Sequence, residues 1–430
     1  MTTSQADAAG DRRVIGVVTA VQLSASLGFF AVMAHVVAHL RDDAGLLAGT
    51  IGLVLGVRIL VQYALLLPFG ALVDVLGAAR SGALACVLRT AGFALLAVVD
   101  GVPAVLAAAV LLGAGGAVFH PCAQALLAGT APAVRARGYA AYAITGQVAA
   151  LAAPPIGLAV LAAGTGGGGV PPDGRFALLA GGAAAAWAVA ALLFLTLAGR
   201  PGGRVRRGTA RAARDVRDGA AAAFRDRAFL RFAAVTCLGP LLSDQVMAVV
   251  PLRGGGAGEA TLFLCASSLV AAAVQPWCAA RDRAGRPRVL WAGFACAGAS
   301  YAALIPSAAD GGPPLAGLLA AAVLGGLGMG LLLPAVFQQL VRYAPRGRDG
   351  AYFGVRAFLA GIVAFAGGLG IGALFELGPG GGSAALAGLA AASWATAAAC
   401  ARWVRTAPPG LPDGLAEPPP AVTAGTGSSR

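Results

Sequence analysis

The sequence predicts an all-α membrane protein with twelve transmembrane helices, and two observations support this. Of the 430 residues, 58% are hydrophobic and only 11% are charged, whereas a soluble domain has about 25% charged residues. The apolar residues also fall into separate blocks long enough to cross a bilayer, which takes about 20 helical residues. A fibrous or disordered Gly/Ala-rich chain is excluded because Leu, Val, Ile and Phe recur in these blocks.

Twelve such blocks, spans 1 to 12, follow one another along the chain. Their bounds are approximately 14–38, 48–70, 82–99, 103–127, 139–163, 176–198, 229–252, 260–279, 288–306, 314–341, 351–375 and 384–403. Ala and Gly dominate them, and small residues let helices approach closely in lipid. No small-residue cleavage site follows the first apolar run. Span 1 is therefore interpreted as a retained helix rather than a signal peptide.

The distribution of arginine predicts the orientation in the membrane. The chain has no Lys, and 25 of its 31 Arg residues lie in the tails and loops of one side. The opposite loops hold Arg41, Arg175 and Arg253, and three more Arg residues lie within spans. By the positive-inside rule, both termini are expected in the cytoplasm and the protein in the cytoplasmic (inner) membrane. A nucleic-acid footprint is the weaker interpretation of the +13 net charge, because these residues are scattered over many short loops.

One long polar stretch separates six spans from the other six. We expect a cytoplasmic tail over 1–12, an N-terminal six-helix bundle over 13–198, a cytoplasmic basic linker over 199–228, a C-terminal six-helix bundle over 229–405 and a disordered tail over 406–430. The second part of the linker has an Ala/Arg/Asp helical pattern. This pattern suits either a helix along an anionic membrane surface or a solvated linker.

The two halves resemble each other. "PFGALVDVLGAAR" after span 2 matches "PWCAARDRAGRPR" after span 8, and Pro68 and Pro276 each stand six residues before an Asp. A second match, between spans 4 and 10, ends at Pro121 and Pro334. Repeats in corresponding places predict two bundles related by a pseudo-twofold axis along the membrane normal.

The repeated loop also indicates a family. Its first copy holds Gly70, Leu72, Asp74, Gly77 and Arg80, and its second holds Asp282, Arg283, Gly285 and Arg286. With these residues the sequence resembles the major facilitator superfamily over 13–405. "LGFF", "GVRILVQ" and "LRTAGFALLA" in spans 1 to 3 are similar to its twelve-span drug:proton antiporter branch. The resemblance implies the fold of that superfamily, transport by alternating access, and a cavity lined by spans 1, 4, 7 and 10.

Span 5 contains a second family feature. "APPIG", with Pro154 and Gly157, is similar to the Gly-Pro-x-x-Gly motif of antiporters, although Ala153 replaces the first Gly. The branch often has an Arg in span 4 and an acid in span 1. This chain has no Arg in span 4, and it offers Gln22 in span 1.

Ionisable residues inside spans are candidates for function because they are costly in a bilayer. Arg58 lies near the middle of span 2, with Gln62 one turn later on the same face. One interpretation is a cationic floor of a cavity that binds an anionic substrate or holds a carboxylate. The other is a buried Arg that caps carbonyl groups of a neighbouring helix.

Asp244 is the acid placed well inside a span. It follows Gly239 and Pro240, which are expected to kink or break span 7 and free backbone carbonyls. We interpret Asp244 as a proton-coupling candidate. The alternative is a position near the outer end, with the side chain reaching water. An Arg58–Asp244 pair is a hypothesis that no sequence spacing supports.

Other polar residues in the spans have two interpretations each. Gln22, Gln147 and Gln245 either contact substrate or bridge helices. Arg89 and Arg356 are expected to extend to the cytoplasmic face. His35 and His39, one turn apart, are interpreted as an interfacial pair rather than a metal site, and His120 as a structural hydrogen-bonding residue.

The predicted function is a secondary active transporter that exports a small organic compound, a drug or a metabolite, by proton antiport. The alternative is an uptake permease or symporter for a small solute such as an anion. No G-x-S-x-G, HExxH or Walker lysine is present, so no enzyme activity, catalytic residue, metal or cofactor is expected. The expected partners are the substrate, protons and the lipid bilayer, with no nucleic acid, and the protein is expected to be a monomer.

The motif after span 2 is interpreted as a gate. Gly70 and Gly77 permit close packing and a tight turn. Asp74 is expected to lie against the N-terminus of span 11, where the helix dipole favours an anion, and Arg80 to add an ionic contact. Asp282, Gly285 and Arg286 form the second copy.

Overall fold

The computed structural model describes residues 2–98, 101–163, 172–198, 209–279, 286–306, 314–345, 349–378 and 380–406. Over these residues the chain forms α-helices, one π-helical turn at His39–Asp43, and no strand. The helices are α1 Thr2–Met33, α2 Val36–Ala38, α3 Ala48–Leu76, α4 Ala78–Val98, α5 Val102–Ala128, α6 Pro132–Ala162, α7 Pro172–Leu195, α8 Thr209–Arg225, α9 Arg227–Thr236, α10 Leu238–Leu252, α11 Ala257–Ala279, α12 Pro287–Ala303, α13 Leu315–Tyr343, α14 Asp349–Glu376 and α15 Gly381–Thr406.

The predicted all-α membrane fold is confirmed. In the described chain, 11 helical stretches are long and apolar enough to cross a membrane, with α1 and α2 forming one and α9 and α10 another. The ninth span, α12, has 17 residues, which is at the lower limit of about 17 for a spanning helix. Counting α12, twelve spanning helices follow one another in the described residues.

The interior divides into two hydrophobic cores. One is formed by α1 to α7 and the other mainly by α9 to α15. Each core takes a few residues from the other half: Ala248 joins the first, and Ala34 and Ile59 join the second. The two bundles are therefore separate packed units. They meet along a main seam, where α3 packs on α14, and also where α6 packs on α11. The predicted disordered tail lies, after Thr406, outside the described residues.

The second part of the basic linker is a helix. It forms α8, which packs against α3 of the first bundle and α14 of the second. Ala223 is buried, and Gly219 lies against Ala351. Asp226 then caps α9 by accepting two backbone N–H hydrogen bonds, each 3.0 Å long. α8 thus lies against both bundles.

The two ends of the bundle differ in charge. Because successive spans run in opposite directions, the loops that follow α3, α5 and α13 lie at one end, where Arg80, Arg135 and Arg342 are found. We call this the arginine-rich end. The loops that follow α4, α6 and α14 lie at the other, arginine-poor end.

Glycines allow α3 and α14 to pack closely across the seam. A Cβ at Gly52 would lie 2.7 Å from the carbonyl oxygen of Gly368, and a Cβ at Gly56 would lie 3.0 Å from Phe365. Further along, Gly361 packs on Tyr63. Without a hydrophobic driving force between helices in lipid, such backbone contact is a main source of attraction. These positions join the bundles from the arginine-poor end to beyond the middle of α3.

Two reciprocal polar contacts join the bundles at the arginine-poor end. The Arg41 guanidinium donates to the carbonyl of Pro251. In the other direction, the Glu376 carboxylate accepts a 2.7 Å hydrogen bond from the N–H of Gly49, at the start of α3 where the helix dipole favours an anion. This conformation is therefore closed at the arginine-poor end.

Replacing Gly372 with Ala is expected to destabilise the seam. The added Cβ would lie 2.7 Å from the carbonyl oxygen of Ala48, and overpacking costs about 1–3 kcal/mol. The matched control is Gly370→Ala on the same helix, where a Cβ meets nothing within 4 Å and helix propensity favours Ala by about 1 kcal/mol. In detergent, the unfolding temperature of Gly370→Ala should be higher than that of Gly372→Ala. Equal unfolding temperatures would contradict close packing at Gly372.

Candidate functional site

An ion pair links the two bundles. Asp244 Oδ1, on α10, lies 3.5 Å from Arg58 Nη2, on α3. The Arg58 side chain is 10% exposed and that of Asp244 is 29% exposed. The pairing hypothesised from the sequence is thus present, and Arg58 holds a carboxylate. It unites the one acid that we placed well inside a span with a basic residue of the opposite half.

A cleft lies beside this pair. Its lining includes Arg58, Ile59, Asp244, Gln245, Met33 and Met247. A neighbouring apolar cleft also reaches Arg58 and is lined in part by α5. The expected lining by spans 1, 4, 7 and 10 is therefore matched only in part, since span 10 lines neither cleft and span 2 lines both. The close packing of α14 on α3 places α3 between the bundles, which explains its contribution.

The other contacts of Arg58 come from its own half. Its Nη1 lies 3.5 Å from Gln62 Oε1, and its guanidinium lies 5.9 Å from the ring centroid of Phe29. The Nε atom of Arg58 is buried without a hydrogen-bond partner. Arg58 therefore has donor capacity that Asp244 and Gln62 leave unused.

The expectation that Arg89 extends to the membrane surface is wrong. Its guanidinium lies between two aromatic rings, 4.8 Å from the centroid of Phe29 and 4.7 Å from that of Trp187. Gly116 of α5 makes room, because a side chain there would clash with Arg89 Nη2 and Gln62 Oε1. Cation–π attraction compensates in part for the lost hydration. Arg89 thus adds a second buried cation beside Arg58.

Span 7 is broken, as the sequence predicts. α9 ends at Thr236 and α10 begins at Leu238, so Pro240 lies in the first turn of α10. Pro240 has no N–H to offer the carbonyl of Thr236, four residues earlier. Arg356 of α14 donates to that carbonyl from Nη2 at 3.1 Å. The expectation that Arg356 extends to the membrane surface is therefore wrong, because the freed carbonyl holds it inside.

The structure brings only some of the predicted glutamines to the pair. Gln245 is buried beside Gly368, and Gln62 contacts Arg58. Gln22 is buried elsewhere and donates from Nε2 to Ser26 Oγ at 3.1 Å. Gln147 is half-buried on α6. Gln62 and Gln245 thus belong to the surroundings of the pair, whereas Gln22 lies at the packing between α1 and α6.

The antiporter-like motif packs α6 against α1. A Cβ at Gly157 would lie 2.6 Å from the carbonyl oxygen of Ala31, so glycine allows this approach. His35 Nε2 lies 3.0 Å from the carbonyl oxygen of Pro154 and donates to it. His35 is therefore buried, and its Nε2 atom is hydrogen-bonded. Its interpretation as an interfacial residue is wrong, because Gly157 lets the end of α1 and His35 pack closely against α6.

The same motif contacts the other bundle. Pro155 has no N–H for the carbonyl of Leu151, four residues earlier, and Cys265 Sγ of α11 lies 3.4 Å from that carbonyl oxygen. A proline-freed carbonyl therefore contacts the opposite half here, whereas the carbonyl that Arg356 contacts belongs to the same half as Arg356.

The remaining histidines have local partners. His39 Nδ1 lies 2.7 Å from Asp43 Oδ2, and the ring stacks on Phe176. His120 Nδ1 lies 2.7 Å from the Tyr142 hydroxyl, which fits the predicted structural hydrogen bond. Among the described residues, no group of three or more His, Cys, Asp and Glu side chains could hold a metal.

The gate motif is described only in part. Gly77 has φ of 83° and forms the turn between α3 and α4, which glycine tolerates. Arg80 and Arg286 are exposed at the arginine-rich end. For Gly70 and Asp74 the structure describes only the helical backbone of α3, and Asp282 and Gly285 lie outside the described residues. The contact of Asp74 with the start of span 11 stays a prediction.

Tyr63 is a site residue that the sequence did not reveal. It lies within electrostatic range of Asp244, Arg356 and Arg58, and its Cβ packs against Gly361. Its position directly after Gln62 gave no signal, because successive helical residues point in different directions. The site is therefore a cluster of three buried cations, one carboxylate and a tyrosine, built by α3, α4, α10 and α14.

A family model described as Major Facilitator Superfamily matches residues 18–276, which is more than half of the 430-residue chain. The chain belongs to the Major Facilitator Superfamily. The predicted membership is thus confirmed. A member of this superfamily is a multi-pass membrane transporter and not an enzyme.

Two related proteins and one solved structure illustrate what this chain is similar to. An uncharacterized MFS-type transporter of Mycobacterium tuberculosis is 27% identical over 367 residues, which cover 83% of this chain and 84% of the relative. Multidrug resistance protein MdtH of Aeromonas hydrophila is 39% identical over 101 residues, 24% of this chain and 25% of the relative. A solved peptide transporter POT in complex with sulfate has a TM-score of 0.75 at 14% identity, covering 91% of this chain and 94% of that chain. This last likeness concerns the fold alone.

Proposed function

We propose that this superfamily member exports a small organic compound, a drug or a metabolite, by proton antiport with alternating access. The observation behind the proposal is the 3.5 Å pair between Asp244 and Arg58, which come from opposite bundles. Protonation of Asp244 removes the negative charge of the pair. A proton can thereby control a contact between the two bodies that must rock against each other.

The size of this interaction suits a switch. Two unit charges about 4 Å apart attract by about 4 kcal/mol at an effective dielectric constant of about 20. Arg58 stays charged, so protonation of Asp244 alone removes this attraction. Since each 1.4 kcal/mol is a factor of ten, the loss shifts a conformational equilibrium by about three orders of magnitude, which is enough to change the dominant state.

Antiport follows if substrate and proton compete for one group. A substrate with a cationic or donor group binds the Asp244 carboxylate only while Asp244 is ionised. A proton that arrives from the opposite side then displaces the substrate. Binding of one ligand therefore weakens binding of the other, which is negative coupling between the two.

Two further observations support export. Multidrug resistance protein MdtH is 39% identical over about a quarter of this chain, and Pro154 and Gly157 occupy the antiporter-like motif of span 5. In our proposal the arginine-rich end faces the cytoplasm of a cell whose inner membrane holds the protein as a monomer. Both termini then lie in the cytoplasm.

One observation favours a second candidate, proton symport of an anionic solute. The described spans bury three guanidinium groups, those of Arg58, Arg89 and Arg356, around one carboxylate, Asp244. An anion that binds Arg58 displaces Asp244, and the released carboxylate then takes up a proton. Anion and proton would bind together rather than in competition, which is positive coupling.

The sign of the pH gradient distinguishes the two candidates. Inverted membrane vesicles should be tested with quaternary ammonium dyes and with aromatic carboxylates, under an acid-inside and an alkaline-inside gradient. Antiport predicts that an acid interior drives dye accumulation; symport predicts that an alkaline interior drives carboxylate accumulation. Vesicles without the protein are the control. Movement of both solute classes that is indifferent to either gradient would contradict both candidates.

A further inference from the structure

The break in span 7 deprives a buried backbone carbonyl, that of Thr236, of its helical partner. Cys237 N–H still bonds to the carbonyl of Ala233 at 2.8 Å. The carbonyl of Thr236, in contrast, would need the N–H of residue 240, which proline lacks. Thr236 is fully buried. An unpartnered carbonyl there would cost free energy, so the break requires a donor from another helix.

Arg356 supplies that donor with a matched geometry. Its Nη2 donates to the Thr236 carbonyl and its Nε to Thr236 Oγ1, both at 3.1 Å. The Thr236 hydroxyl in turn donates to the carbonyl of Phe232 at 2.9 Å. Two parallel hydrogen bonds from one planar guanidinium fix the orientation of α9 relative to α14. The cation also lies at the C-terminal end of α9, where the helix dipole favours positive charge.

No described carboxylate forms a salt bridge with Arg356, although Arg356 is only 8% exposed. Its charge is thus stabilised by the broken end of α9 rather than by an acid. Arg356 depends on the break, because Pro240 frees the carbonyl to which Arg356 donates.

The helix that carries Arg356 also holds both members of the ion pair in place. α14 packs on α10 where Gly367 meets Leu241, and on α3 where Gly361 meets Tyr63. Asp244 follows the break by two turns of α10. The direction in which α10 leaves the break therefore decides whether the Asp244 carboxylate reaches Arg58.

We propose that Arg356 is a positioning residue for the Arg58–Asp244 pair: it ties the break in span 7 to α14 and thereby places Asp244 against Arg58. The consequence for transport rests on the function proposed above, whereas the position of Asp244 against Arg58 can be tested without it. If Arg356 is lost, the carbonyl of Thr236 loses its donor and the join between α9 and α10 is no longer tied to α14, so the pair loosens although neither of its members has changed.

The test measures the coupling between Arg58 and Asp244 directly, without transport. Thermal unfolding in detergent is recorded for Arg58→Gln, Asp244→Asn and the double variant, first in the natural background and then with Arg356→Gln. We expect the coupling to fall by more than half in the Arg356→Gln background. Arg288→Gln, an exposed arginine on α12, is the control background and should leave the coupling intact. Equal coupling in the natural and Arg356→Gln backgrounds would overturn the proposal.

A second variant separates positioning from simple satisfaction of a carbonyl. Pro240→Ala returns an N–H to the Thr236 carbonyl, so Arg356→Gln should then cost little thermal stability. Transport driven by a pH gradient should nevertheless stay at least tenfold reduced in Pro240→Ala/Arg356→Gln, because a continuous helix displaces Asp244. Recovery of transport together with stability would overturn the positioning role. Absence of pH-driven transport in the natural protein would defeat the proposed function and leave the coupling test valid.

Discussion

Replacing Asp244 with Asn is expected to abolish accumulation of substrate against its gradient. Asn fills nearly the same volume but cannot lose a proton, so the pair with Arg58 no longer responds to pH. A gradient of about one pH unit can sustain an about tenfold substrate gradient in one-for-one exchange, since both are worth about 1.4 kcal/mol. In Asp244→Asn this ratio should fall to about one. Downhill exchange of labelled for unlabelled substrate should weaken, because the substrate loses the carboxylate that it binds, and any remaining exchange should no longer depend on pH.

The measurement is uptake into vesicles at several imposed pH gradients, beside the exchange assay. Asp218→Asn is the matched control, because Asp218 is an exposed acid that pairs with Arg217 on α8. It should keep the full accumulation ratio. If Asp244→Asn still accumulates substrate in proportion to the pH gradient, the coupling group lies elsewhere and the proposed mechanism fails.

The sequence was sufficient for the fold because hydropathy and charge act on whole segments. Backbone groups must be satisfied internally in lipid, so span-length apolar blocks become helices whatever their neighbours. Pro240 predicted the break in span 7 for a similarly local reason, the missing N–H. The ninth span shows the limit of this approach: α12 is only 17 residues long, and its place between α13 and α15 comes from packing.

The candidate site was less predictable because it depends on how each helix is rotated about its axis. Arg89 and Arg356 were expected at the surface, yet Gly116 admits one beside Phe29, and the freed carbonyl of Thr236 holds the other. These partners are distant in sequence or on other helices. The spacing of residues along one helix gives its faces, but the helix that each face meets follows from close contacts across the fold.

The ion pair could be hypothesised from the sequence, but its geometry could not. Arg58 and Asp244 are each costly alone in a bilayer, so a shared solution was plausible from composition. Their distance of 3.5 Å depends on the seam between α3 and α14 and on the break in span 7. Glycine makes the close seam possible because it has no side chain, and proline makes the break because it has no N–H. Neither effect reveals from the sequence which distant residues it brings together.

Removing both charges of the pair is expected to separate its two effects, on stability and on coupling. Arg58→Gln leaves the Asp244 carboxylate in the seam without its cation, and breaking a buried pair in this way costs about 3–5 kcal/mol. Because Asp244 is 29% exposed, we expect the lower end of this range. Asp244→Asn leaves Arg58 unpaired and should also lower the unfolding temperature.

In the double variant Arg58→Gln/Asp244→Asn, two neutral amides meet, and replacing a whole buried pair is often neutral for stability. Its unfolding temperature in detergent should return to near that of the natural protein, while accumulation driven by the pH gradient stays at background. Gln62→Asn, which keeps the pair and shortens a neighbour of Arg58, serves as the comparison and should keep accumulation at least in part.

Additive destabilisation in the double variant would mean that the two charges do not interact in the folded protein. Recovery of accumulation along with stability would mean that the pair holds the bundles together but takes no part in proton coupling. The proposed mechanism requires stability to recover and coupling to remain lost, because only an ionisable group at position 244 can exchange a proton for a contact between the bundles.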